Sequence, residues 1–186
     1  MTEELLYLWF GMISRMTHTV KMNVAMKYGG IRGLWNTSEE QLRDELTQAQ
    51  ADGFLEHRDA GKVAAYAEEL RRNDITYIYP GHKLYPGKLY DIPDPPMLLF
   101  AAGDVDVLAD LDPAVAVVGA RKASVYGREA ADRLSGELAA SGVTIVSGMA
   151  LGIDGAAHRA AMKAGGKTVA VLGSGINVPY PRENYD

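Results

Sequence analysis

Apolar and polar positions follow one rhythm up to about residue 73 of this 186-residue chain and another beyond it. In the first part apolar residues recur every three or four positions, the period of an amphipathic helix. Residues 3–16 open with Glu3 and Glu4, which suit a helix N-terminus. Residues 19–28 form a second such segment and are stopped by Gly29 and Gly30. Thr37-Ser38-Glu39-Glu40-Gln41 resembles a capping box, and residues 60–72 set Val63, Tyr66, Ala67 and Leu70 on one face. The pattern predicts a small all-α domain over residues 1–73.

Beyond residue 73 the period changes. Residues 75–79 and 97–101 read as short strands, separated by a loop whose prolines bar regular structure. Three unbroken β-branched runs follow, at 115–118, 143–146 and 168–172, without the polar alternation of a half-exposed sheet. Such runs suit parallel strands covered by helices. Residues 126–140 and 154–164 supply those helices, with Ala130, Leu134 and Leu138 and then Ala157 and Ala161 at helical spacing. Ser141-Gly142 and Gly165-Gly166 end them. The expected fold is therefore α/β, a Rossmann-like parallel sheet over residues 74–186 preceded by the helical domain. Right-handed crossovers put all three glycine-bearing loops at the carboxyl edge of that sheet.

Composition narrows the setting. There is no cysteine, which excludes disulfides and thiolate metal sites. No signal peptide or membrane-spanning run is evident, so a cytoplasmic location is expected. The net charge of −5 argues against coating nucleic acid by bulk electrostatics. The charge is uneven, however: residues 114–186 hold eight Lys and Arg against six Asp and Glu, and residues 1–113 hold eleven against eighteen. The basic share lies with the glycine loops.

Those loops predict an anion site, because backbone N–H groups at helix N-termini favour negative charge. Gly119-Ala120-Arg121 adds a guanidinium suited to phosphate, Ser124, Ser147 and Ser174 add hydroxyls, and Gly148, Gly173 and Gly175 let a ligand approach the backbone. Lys167 adds a charge, read on position alone as a helix C-terminal cation or a ligand contact, and Tyr180 either stacks on a base or packs over its loop. Asp154 reads as a cap that orders the 147–152 loop and His158 as a buried hydrogen-bonding histidine. Lys21, Lys27 and Arg32 of the helical part are read either as a phosphate grip or as a solvated surface. No nucleophile and base are paired, so no catalysis, cofactor or metal is expected. A dinucleotide site is excluded too, since G-x-G-x-x-G does not follow the first strand and no acid ends the second.

The run from Val117 to Arg121, Ser124-x-Tyr126-Gly127, Ser147-Gly148-Met149-Ala150-Leu151-Gly152-Ile153-Asp154 with Ala157-His158, Lys167 through Gly175, and Tyr180-Pro181 together resemble the DNA-processing protein A family (DprA, or Smf). The lead-in with Tyr85-Pro86 and Asp94-Pro95-Pro96 is similar to that family as well. The resemblance is strong over residues 75–186 and positional over the helical part, which is similar to SAM-like and helix-hairpin-helix modules. It implies sequence-independent binding of single-stranded DNA in natural transformation, with loading of the recombinase RecA by full-length members. It also implies that Arg121 and Lys167 are DNA contacts, with the Ser147-Gly148 and Gly173-Ser174-Gly175 loops. The family pattern continues past Asp186, so the sheet is expected to be partial, and homodimerisation and RecA loading are expected of longer members. A nucleotide N-glycosidase-like enzyme and a regulatory nucleotide sensor are the alternative readings.

Overall fold

The computed structural model describes residues 1–14, 16–178 and 180–184 and divides the chain into two compact units, Met1–Val105 and Asp106–Asp186. The division falls at residue 105, whereas the change of sequence rhythm suggested 73. Ile75, Tyr77, Met97 and Leu98, from the strand-like stretches after residue 73, pack on the helical core, and that apolar cover joins residues 74–105 to the helices.

In the first unit six helices precede a hairpin: α1 (Glu3–Met12), α2 (His18–Lys27), α3 (Ile31–Asn36), α4 (Glu39–Glu45), α5 (Gln48–Glu56) and α6 (Ala60–Arg72). Strands β1 (Thr76–Ile78) and β2 (Leu99–Ala101) then pair antiparallel. The core is built on large side chains. Trp9 meets Trp35 edge-on at 4.9 Å and lies beside Phe10 and Phe54, and Trp9, Phe10 and Phe54 are fully buried. Caps set the helix starts: Ser38 accepts from Gln41 N, Asp59 from Lys62 N, and Thr47 with Gln50 completes a reciprocal capping box. Helix α1 ends at Met12, short of the expected Met16, and Arg15 lies outside the described residues. The ammonium of Lys21 takes the carbonyls of Phe10 and Ile13 at 3.1 and 2.9 Å, satisfying backbone acceptors that a longer helix would have used.

The second unit is β3 (Ala114–Ala116), α7 (Val125–Ala140), β4 (Thr144–Ser147), α8 (Ile153–Lys163) and β5 (Thr168–Ala170). The strands lie parallel in the order β3-β4-β5, with Val115 beside Ile145 and Ile145 beside Thr168. This is the expected α/β sheet. Its core is small: Ile145 packs with Ala139, Ala157 and Ala161. Helix α7 buries Ala131, Ser135 and Ala139, one position on from the predicted Ala130 and Leu134, and Leu134 is 51% exposed. The reason is close helix packing. Small residues are buried on both helices, Ala131, Ser135 and Ala139 on α7 and Ala156, Ala157, Ala160 and Ala161 on α8, with Gly136 beside Ala160, and the bulky leucine is turned out. Both crossover helices pack with each other and with β4, and past the strand ends Val118 and Val171 stand in solvent.

Candidate functional site

Three loops leave the carboxyl ends of β3, β4 and β5, and the first two are locked together by glycine. Gly152 has φ +86°, and a Cβ there would sit 2.2 Å from the carbonyl oxygen of Ala120; a Cβ on Gly119 would strike Ile153 at 2.5 Å. Only glycine allows this approach of one loop to the other. The loop after β3 therefore rests on the start of α8.

The loop after β4 is held by side chains from both sides. Asp154, buried at the start of α8, accepts from Gly148 N at 3.2 Å and Ala150 N at 3.4 Å. Asn184 donates through Nδ2 to the carbonyls of Met149 and Ala150 at 2.9 and 3.0 Å, and its Oδ1 accepts from Arg159 at 2.9 Å. Between them they fix Met149 in the left-handed region, φ +57°, which a non-glycine residue seldom occupies. Asp154 orders the loop as its position suggested, although the N-cap position itself belongs to Gly152. Asn184 was not foreseen. Its partners lie about 35 positions earlier, and no local pattern marks a clamp of that reach.

His158 is buried, and its Nδ1 lies 2.6 Å from the Thr168 hydroxyl, which donates to the Ile145 carbonyl at 2.8 Å. A hydroxyl has one proton to give, so Nδ1 is the donor and Nε2 carries the lone pair. Nε2 is buried with no partner among the described residues. Burial lowers the ring's pKa from its ordinary 6.5, Asp154 opposes that shift and Arg159 adds to it. With Asp154 serving its loop and His158 serving β5, the two form neither a metal pair nor an acid–base pair. No group of three metal-ligating side chains occurs among the described residues.

The candidate residues thus separate by what they already hold. Ser147 is buried and donates to the Val117 carbonyl at 2.5 Å; Ser124 caps α7 by accepting from Gly127 N at 3.1 Å; Ser174 closes its own loop onto the Val178 carbonyl at 3.3 Å. The N–H of Gly148 is taken by Asp154. Arg121, in contrast, is exposed in the loop after β3 with no hydrogen bond or ion pair among the described residues, and so is Lys122 beside it. Tyr180 is 61% exposed in the stretch after β5, and Gly173 is open, since a Cβ there would meet nothing within 4 Å. Gly175 is crowded by Asn177. Lys167 is not brought to this edge: it precedes β5 and lies at the entry end of the sheet, while the loops lie at the exit end. The three residues of β5 put about 10 Å of extended chain between them.

In the helical unit Lys27 pairs with Glu45 at 2.9 Å, Arg32 donates to the Met1 carbonyl, and Lys21 closes the end of α1. Lys27 and Arg32 make these contacts at the exposed surface, and Lys21 makes its own in a part-buried position.

What the fold and its loops define is a Rossmann-like α/β unit with a cationic, backbone-lined edge, preceded by a helical unit. The chain belongs to the DNA recombination-mediator protein A family, whose model matches residues 76–186. Among curated relatives it is 41% identical over 122 residues to the DNA processing protein DprA of Bacillus subtilis, covering 66% of this chain and 39% of that protein. It is 42% identical over 135 residues to protein Smf of Escherichia coli, covering 68% and 36%. The X-ray structure of DprA from Streptococcus pneumoniae superposes with a TM-score of 0.70 at 29% identity, covering 95% of this chain and 59% of that one. DprA from Helicobacter pylori, whose solved structure is described as showing a unique single-stranded DNA binding mode, superposes with a TM-score of 0.52 at 31% identity, over 60% and 48%. The chain spans under half the length of these curated relatives.

Proposed function

We propose that the carboxyl edge of the β3-β4-β5 sheet binds single-stranded DNA through its phosphates, without reading sequence and without turnover. The observation that carries this reading is the exposed, unpaired Arg121, set on a loop that glycine packing holds rigid. A fixed guanidinium binds phosphate with little ordering cost. Lys122 adds a second charge, the open backbone at Gly173 gives a strand room to approach, and the exposed Tyr180 offers a π face. Gly119, Ser124, Ser147, Gly148, Ser174 and Gly175 act in this reading as the frame that shapes the edge, and Lys167 is not part of it. The family relationship and the strand-binding relative support the same ligand. For the whole protein we propose a role in recombination and DNA uptake in which bound strand is passed to a RecA-type recombinase.

The test is a fluorescence-anisotropy titration of a labelled single-stranded oligonucleotide, with unlabelled duplex as competitor and with a nucleoside monophosphate as a second one. Binding that weakens with salt and resists duplex competition is expected. Displacement of the strand by stoichiometric mononucleotide would contradict the reading and favour a nucleotide pocket.

A further inference from the structure

We infer that Tyr126 is a base-stacking platform that continues the strand path beginning at Arg121; the inference rests on the reading above and deepens it. Tyr126 is 80% exposed, and among the described residues no other large apolar side chain is as bare. The ring is not used by the fold. Helix α7 packs through Ala131, Ser135 and Ala139, and Tyr126 makes no hydrogen bond or ring contact among the described residues. A tyrosine left wholly in water is unremarkable alone, but this one stands on a fastened piece of backbone. Ser124 caps the turn, Arg128 donates to the Ala123 carbonyl at 2.8 Å, and Gly127 abuts Ile153 at the start of α8. The ring is carried by the same rigid turn that follows the Arg121 loop.

Charge chooses the partner. Arg121 and Lys122 precede the ring in one loop, exposed and unpaired, and five residues of chain keep the Cα atoms of Arg121 and Tyr126 within about 17 Å. Cations for phosphates followed by an aromatic face for a base is the combination that holds single strands. A duplex keeps its base faces stacked inside and offers the ring nothing. Tyr126 therefore supplies a preference for single strands that Arg121 alone lacks.

The experiment compares the full chain with its Tyr126→Ala and Tyr126→Trp variants on an oligothymidine strand and on an abasic strand of equal length, with Arg121→Glu as reference. Tyr126→Ala is expected to weaken the thymidine strand about tenfold and to leave the abasic strand unchanged, while Tyr126→Trp keeps the wild-type affinity. Melting temperatures should not move, since the ring is in solvent. Wild-type affinity for both strands in Tyr126→Ala, with binding lost in Arg121→Glu, would overturn the stacking role and leave the phosphate site standing. A wild-type chain that binds neither strand would remove the functional reading and the stacking role together. Unchanged strand binding with a shifted sedimentation mass in Tyr126→Ala would give the ring to a self-contact instead, and also overturn the inference.

Discussion

The two units of this chain use their polar and apolar groups in opposite ways. The helical unit buries its largest side chains, Trp9, Phe10 and Phe54, and ties Lys21, Lys27 and Arg32 into internal contacts. The α/β unit centres on one isoleucine and three alanines and leaves Arg121, Lys122, Tyr126 and Tyr180 in solvent. Lys21, Lys27 and Arg32 already have partners, whereas Arg121 and Lys122 have none among the described residues and are free to meet a ligand. The contrast supports the proposed site in the second unit, although the first is the better packed.

The comparison is broken most severely by attacking the helical core. Trp9→Ala should destabilise the first unit by about 3–5 kcal/mol, read as a shift in the denaturant midpoint, whereas Leu134→Ala, on the exposed side of α7, should stay within about 0.5 kcal/mol. Equal effects would deny that Leu134 is turned out of the α7–α8 contact. Next comes the loop clamp: Asp154→Ala leaves the part-buried amides of Gly148 and Ala150 without their acceptor and should cost about 1 kcal/mol. Faster hydrogen exchange at Gly148 and Ala150 should accompany it, and unchanged exchange would refute the clamp.

A pH series sharpens the contrast more gently. Because burial holds His158 below its ordinary 6.5, the unfolded chain binds its proton first as pH falls. The stability His158 contributes is thus complete above about pH 6.5 and is lost as pH drops through the folded value. Between pH 7 and pH 5 the melting temperature of the wild type should fall further than that of His158→Gln. Parallel curves would contradict the neutral, Thr168-bonded ring.

Much of this was legible along the chain, and the failures have physical causes. Three β-branched runs and the glycines after them announced the parallel sheet, since local period and turn chemistry carry that information. The short helices α3 and α5 escaped notice: each contains a glycine, Gly33 or Gly53, and each is too short to show a period. In α7 the rule that bulky apolar residues face inward failed because a close helix contact selects for small ones. Lys21 read as a surface charge, yet its long stem reaches the end of α1. The exposed position of Arg121 was readable from its place after a strand. Asn184 was not, because its partners are brought to it only by the folded chain, and Lys167 stands where the sequence put it, just before β5.

The most direct test of the division of labour is one titration of labelled single-stranded DNA against three proteins: the wild type, Arg121→Gln and Lys27→Gln. Each variant loses one positive charge, so bulk electrostatics predicts equal effects. The account predicts that Lys27→Gln binds as the wild type does, while Arg121→Gln binds at least tenfold more weakly and shows a salt dependence shallower by about one unit of slope. Equal losses in the two variants, or a larger one in Lys27→Gln, would contradict it.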